Sequence, residues 1–261
     1  MKPGVDILKP LVIRAAGATD VGCVRERNED ACLVDSEDGL FVVADGMGGH
    51  RGGDRAAQMA ATVLPDIIRR LMAGLPVPRS SDDPAMSTLL AEALQELGHH
   101  IRKAGADRPE YKDMGVAVVA ALLTGHCAHF AHMGDSRAYL LRDGELTQLT
   151  EDHSIVALLV RNGDITPQEA KDHPARGRLS RFVGMEADVP AATESIGLQA
   201  GDRLLLCTDG LWGMLTADQL RTILAEDKGP EITCQHLLAA GKQAGGQDNL
   251  TAVVMDAEEM P

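Results

Sequence analysis

The 261-residue chain reads as a single α+β domain in which helices cover β-sheets. Three observations predict this. Short apolar runs such as FVVA (41–44), VAVVAALL (116–123) and RLLLC (203–207) have the composition of buried strands. Amphipathic stretches with helical spacing come in pairs, at 54–72 and 86–101 and again at 216–226 and 231–243. No fixed-period repeat or linker-like stretch divides the chain, and strand runs bracketed by helix pairs favour one unit.

In chain order, an N-terminal lead (1–14) opens into a domain spanning 15–257. Strand-like segments fall near 12–22, 31–35 and 40–44, and one helix is expected over 54–72. GLPVPRSSDDP (74–84) is a loop in which Ser80 or Ser81 offers a helix cap. Met86, Leu89, Leu90, Ala93, Leu94, Leu97 and Ile101 then recur on one helical face. The period changes to that of consecutive short strands, with Asp143-Gly144 as a hairpin turn. Residues 152–185 are polar, contain histidines and read as a partly helical insertion. RLLLCTDG runs as a strand into Asp209-Gly210, two helices follow, and GGQDNLTAVVMD turns into a last strand.

Bulk composition excludes several functions. A net charge of −14, from 39 acidic and 25 basic residues, argues against a nucleic-acid partner, which requires clustered Lys and Arg. It leaves carboxylates available for cations. The five cysteines are scattered without a C-x-x-C, as expected for free thiols in a reducing compartment. The N-terminus lacks a signal-peptide apolar region, and Val116–Leu123 is too short to cross a bilayer. A soluble, cytoplasmic protein with no membrane insertion is expected.

Five short patterns place an aspartate at a strand end or turn: RERNEDA (Asp30), VADGMGG (Asp45), KDMG (Asp113), CTDGL (Asp209) and GGQDN (Asp248). Asp-Gly alone is a common turn dipeptide, and Asp143-Gly144 is read as nothing more. Two Asp-Gly pairs behind apolar strands, plus Asp248 before another, suit a hard divalent cation that takes charged oxygen ligands. Two such ions can hold a hydroxide between them and clamp a phosphoryl oxygen. The glycine after Asp45 would let a main-chain carbonyl join.

The ordered set ATDVGCVRERNEDA, VVADGMGGH, DMG, AHMGDSRAYLLRDGELTQLTEDHS, LLLCTDGLW and GGQDNLTAVV resembles the metal-dependent serine/threonine protein phosphatases (type 2C, the PPM family). The likeness runs from about Ala18 to Met255, and DHSIVALLVRNGDITPQEAKDHP resembles the bacterial branch. The resemblance implies a four-layer αββα sandwich, two antiparallel sheets flanked by helices, with Mn2+ or Mg2+ between the sheets. By position, Asp45 would bridge two ions, Gly46 would offer its carbonyl, and Asp209 and Asp248 would complete the second ion's shell. Glu29 and Asp30 would act through water, Asp113 with Asp209 would hold a third ion, and Arg25 would hold the substrate phosphate. Two departures stand out. Val116-Ala117 replaces the Thr-Thr often found after Asp-Met-Gly, and Met47 replaces the histidine of eukaryotic relatives. No protein general acid is therefore named.

Other features have plainer readings. On a strand, His126 and His132 face one side and His129 the other, so they do not converge and are expected partly exposed. His50 and His153 lie near the motifs as outer or proton-relay groups, not ligands. GDSRA lacks the last glycine of a nucleophile elbow and reads as a turn, with Asp135 and Arg137 as structural ions. GMGGHR fails the dinucleotide fingerprint at Arg51, and no phosphate-binding P-loop occurs. Arg176, Arg178 and Arg181 make the 152–185 insertion a basic flap. The expected function is hydrolysis of phosphoserine or phosphothreonine in proteins, the substrates of a bacterial serine/threonine kinase, by a water held between two divalent metals. The alternatives are a catalytically weak phosphoprotein-binding module and a small-molecule phosphatase.

Overall fold

The computed structural model describes residues 9–48, 52–75, 85–187 and 189–260. The expectations at His50, at Arg51 and over most of the 74–84 loop lie outside them. One antiparallel sheet contains β2 (Asp30–Asp35), β3 (Leu40–Met47), β4 (Gly115–Thr124), β5 (Cys127–Met133) and β8 (Ala192–Gly197), in that spatial order. The other has the order β1 (Leu11–Asp20), β10 (Leu250–Glu259), β9 (Arg203–Cys207), β6 (Arg137–Arg142) and β7 (Glu145–Gln148). Helices α1 (Gly52–Thr62), α2 (Leu64–Ala73) and α3 (Ala85–Asp107) pack outside the first sheet. Helices α6 (Asp209–Trp212), α7 (Ala217–Leu224) and α8 (Pro230–Gln243) pack outside the second. Between β7 and β8 lie α4 (Ile155–Asn162) and α5 (Pro167–Ala170). Among the described residues no helix is long and apolar enough to cross a membrane.

The side-chain period of two explains both the four layers and the continuous apolar runs. On β3, Leu40, Val42 and Ala44 face α1–α3, while Phe41 and Val43 face the opposite sheet. On β10, Val253 and Met255 meet that inner layer, while Ala252 and Val254 pack under α8. Strands covered on both faces need apolar residues at every position. Phe41 and Phe130 lie fully buried in an inner layer otherwise made of aliphatic side chains.

Several boundaries differ from those read in the sequence. Strand β1 pairs residue by residue with β10 from Leu11↔Glu259 to Asp20↔Leu250, so residues 11–14 belong to the sheet, not to a lead. The helix expected over 54–72 is two helices. Pro65 stands in the first turn of α2, where its missing N–H costs nothing, and it could not have continued α1. Helix α7 is closed by a reciprocal capping box between Thr216 and Gln219. Strand β8 escaped the sequence reading because ATESIG has no apolar alternation; as an edge strand on β5 it needs none.

Two glycines let backbones meet where the chain leaves the sheets. A Cβ on Gly46 would stand 1.9 Å from the Gly53 carbonyl oxygen, and one on Gly210 would stand 1.9 Å from that of Asn249. The first contact seats α1 against the end of β3, and the second joins the Asp209 turn to the Asp248 turn. Gly46→Ala and Gly210→Ala should each cost about 2–4 kcal/mol by urea denaturation, since backbone must move to admit the methyl. Gly197→Ala, with nothing within 4 Å of the added carbon, should be neutral to within about 0.5 kcal/mol.

Candidate metal centre and phosphate site

The alternation that builds the core also aims the carboxylates. Asp45 continues the Phe41–Val43 row, so it points between the sheets, and Asp30 is its direct cross-strand partner. From the opposite sheet, Thr251 continues the Val253–Met255 row and Thr208 follows the Leu204–Leu206 row. Thr251 Oγ1 donates to Asp30 Oδ2 at 2.6 Å and Thr208 Oγ1 donates to the same oxygen at 2.9 Å. Asp30 is thus clasped across the interlayer. Its backbone amide donates to Asn28 Oδ1 at 3.1 Å.

Three further carboxylates gather at the same end. Asp45 faces Asp209, the first residue of α6, and the contact between the two carboxyls is among the causes that raise Asp45. Asp248 is turned outward to Arg25, whose Nη2 donates to its Oδ2 at 2.7 Å. Asp135, in the turn between β5 and β6, is 7% exposed. Burial is the main cause that raises Asp30, Asp45, Asp135 and Asp209, with mutual repulsion added. It pushes Asp30 up to about 7, with Asp209 and Asp248 contributing and the two threonines opposing. It pushes Asp135 up to about 8, with Asp209 and Asp152 contributing. Asp45 is held well above the usual carboxylate range by burial and then by Asp30, Asp209 and Asp135. Glu29 is raised by burial and by Asp54.

Asn249 holds the loop that carries Arg25. Its Nδ2 donates to the carbonyls of Val21 (3.0 Å) and Arg27 (2.9 Å), and its Oδ1 accepts from the Glu29 amide at 2.8 Å. The Glu29 carbonyl accepts from the Gly46 amide at 3.0 Å. Glu29, Asp45 and Asp248 are therefore joined through the backbone. Asn249 was quoted in the sequence beside Asp248 without a role; only the fold reveals one.

Asp113 is exposed, with a left-handed φ of 61°, and its carbonyl oxygen lies beside Gly48, at the end of β3 that carries Asp45. Asp135, read in the sequence only as a structural ion, is buried near Asp209. Among the described residues no three acids close around a common point as a finished cage: Asp45 leans on Asp209, and Asp248 leans on Arg25.

The turn holding Asp135 also anchors the root of the 152–185 segment. Arg137 grips Asp152 through two bonds of 2.7 Å, donates to the Tyr139 hydroxyl at 2.9 Å and stacks 3.4 Å from the Trp212 ring. Trp212 Nε1 donates to the Asp135 carbonyl at 2.9 Å. Arg137, read in the sequence as a structural ion, pairs with Asp152. His129 and His132 are buried, against the expectation of partial exposure. His129 bonds Ser195 Oγ at 2.9 Å, and His132 stacks on His153 with centroids 4.7 Å apart. His132 shares the inner face of β5 with Phe130, and His129 shares the helix-facing side with Ala131 and Met133; both faces are covered, which strand parity alone does not reveal.

The sequence profile of the family described as protein phosphatase 2C matches residues 24–226. The serine/threonine phosphatase stp of Listeria welshimeri is 34% identical over 93% of this chain and 95% of its own length. The serine/threonine protein phosphatase PstP of Mycobacterium tuberculosis is 37% identical over 94% of this chain, which spans 45% of PstP. A solved structure of the PstP catalytic domain in complex with two manganese ions superposes with a TM-score of 0.79, at 33% identity over 95% of this chain and 99% of that one. This chain belongs to the protein phosphatase 2C family.

Two outcomes test the electrostatics. Asp45→Asn should stabilise the metal-free protein by about 1–2 kcal/mol at pH 8, measured by denaturation in a chelator. Because the native pKa of Asp45 is raised, its stabilising contribution is lost as pH rises, so the gain should shrink towards pH 5. His153 behaves oppositely. Burial, then His132, Arg181 and Arg161, lower it from 6.5 to about 3. Its neutral form is favoured in the fold, so stability is present above pH 6.5 and lost as pH falls towards 3. His153→Phe should remove about 1–2 kcal/mol of the loss between pH 7.5 and pH 5.

Proposed function

We infer that this chain is a divalent-metal-dependent protein phosphatase that hydrolyses phosphoserine and phosphothreonine in proteins. The observation that carries the reading is the crowding of Asp30, Asp45, Asp135, Asp209 and Asp248 at one end of the inter-sheet layer, with Arg25 at its edge. Crowded carboxylates, all oxygen donors and without a histidine among them, suit Mn2+ or Mg2+. Asp45, Asp209 and Asp248, with the Gly46 carbonyl, would hold two ions. Glu29 and Asp30 would orient their outer ligands, and Asp113 with Asp209 would serve a third.

Bound ions would neutralise the phosphoryl oxygens and lower the pKa of the attacking water. The protein's own residues do the rest. Asp30, fixed by Thr208 and Thr251, keeps Asp45 in place from the neighbouring strand. Arg25, now the counter-ion of Asp248, is the cation at the mouth able to take a phosphate dianion by a forked contact. Asn249 fixes the backbone on both sides of that arginine. Substrates of a serine/threonine kinase in the same bacterial cytoplasm are the expected partners, and the five free cysteines suit that compartment.

Hydrolysis of a phosphothreonine peptide should require added manganese and stop in excess chelator. Asp209→Asn should lower kcat by roughly a thousandfold or more while the fold remains intact by circular dichroism. A folded wild-type protein without turnover at any manganese concentration would overturn this reading in favour of a phosphoprotein-binding module.

A further inference from the structure

We propose that a cavity beside the phosphate arginine is a subsite for an anionic side chain within two residues of the phosphorylated one. The proposal rests on the phosphatase reading and names a class of substrate for it. The cavity measures about 410 Å³ and is lined by Arg27, Asp54, Arg55, Gln58 and Tyr111. That volume is within the range of small-ligand sites.

Charge is the first argument. In a chain of net charge −14, this cavity sets two guanidiniums against one carboxylate. Gln58 and Tyr111 add neutral hydrogen-bond donors. Arg55 forms no ion pair among the described residues. Arg108 stands 5.7 Å above the Tyr111 ring and adds positive potential at the rim. Asp54 lies in the first turn of α1, where the helix dipole favours its charge, and offsets only part of this field.

Position is the second. Arg27 follows Arg25 by two residues, so their Cα atoms are no more than roughly 7 Å apart. The Arg27 carbonyl is fixed by Asn249, the residue after Asp248. On the far side, Arg55 and Gln58 stand one turn apart on α1. The charge of Asp54 reaches Glu29, so the cavity adjoins the acidic centre. An extended peptide advances about 3.3–3.6 Å per residue. With its phosphate on Arg25, a neighbouring side chain reaches Arg27 and Arg55.

The ligand chemistry is an anion, supplied by a carboxylate or by a second phosphate. The test is a set of phosphothreonine peptides with Glu, phosphoserine, Ala or Lys at neighbouring positions, assayed with the full chain and manganese. Each enzyme is normalised to its own turnover of p-nitrophenyl phosphate, which has no flanking residue. Glu and phosphoserine peptides should exceed the Lys peptide in kcat/KM by roughly three- to tenfold, and 0.5 M salt should erase the difference. Preference for Glu alone would identify a carboxylate as the ligand, and preference for phosphoserine alone a second phosphate. Arg55→Glu, on an exposed helix face, should reverse the ranking, and Arg55→Lys should keep it. Ratios within twofold in the wild type, with p-nitrophenyl phosphate hydrolysed, would overturn the subsite and leave the phosphatase standing. If p-nitrophenyl phosphate and every peptide resist hydrolysis, both readings fall.

Discussion

The structure depends on how a cluster of like charges is kept at the edge of a hydrophobic layer. An isolated carboxylate there would cost several kcal/mol, and a group of them repels itself. The solution is the clasp on Asp30: two threonine hydroxyls from the opposite sheet satisfy one oxygen of an acid on the first sheet. This interaction ties the sheets together at their polar end, as Phe41, Phe130 and their aliphatic neighbours do in the middle. It also fixes the position of Asp45, because Asp30 and Asp45 are cross-strand partners. Part of the remaining repulsion is offset by the Arg25–Asp248 pair, while Asp45 is held well above the usual carboxylate range. The fold therefore tolerates an arrangement that only a cation would favour. Such stored cost is usual at functional sites.

Much of this was legible in the sequence because strand alternation is a hard rule. An Asp at the end of an apolar strand buried on both faces must point to one covered side, and Asp45 and Asp209 were found that way. Asp30 and Asp248 were recognised from motifs, and the structure draws both into the same end of the layer. Asp135 was read as part of an ordinary turn, and no local rule shows that this turn faces Asp209. Asp113 came from the resemblance alone, since an exposed aspartate in a left-handed turn carries no local mark of a ligand. The threonines are the clearest lesson. Thr208 and Thr251 follow inward-facing Leu and Val rows at the right parity, but a threonine at a strand end carries no chemical label of its own.

The glycines raise a related question of cause. Those after Asp45 could have been read as room for a ligand. In the structure, Gly46 serves first to let α1 touch the end of β3, and Gly53 gives the Glu29 carboxylate space beside that helix. Gly210 serves the equivalent contact between the turns that carry Asp209 and Asp248. Backbone packing and site geometry are thus one requirement. The carboxylates converge because the chains bearing them touch without side chains between them.

The turn Gly134–Arg137 shows how far this economy extends. Gly134 exchanges bonds with His153: its carbonyl accepts from the histidine backbone amide at 2.9 Å, and its amide donates to Nδ1 at 3.4 Å. Asp135 enters the acidic centre, and Arg137 lies between Trp212, at the end of α6, and Asp152, at the root of the 152–185 segment. Asp152 and His153 are thus linked through Arg137 and Gly134 to the turn that carries Asp135. The segment beyond is anchored again where Val183 pairs with Val116, at the start of β4. Helix α4 carries six consecutive apolar residues, Ile155 to Val160, none of them fully buried. A stretch with so little core of its own takes its placement from its root. Here the root is held by Arg137 and by the Gly134–His153 bonds, on either side of the turn that carries Asp135.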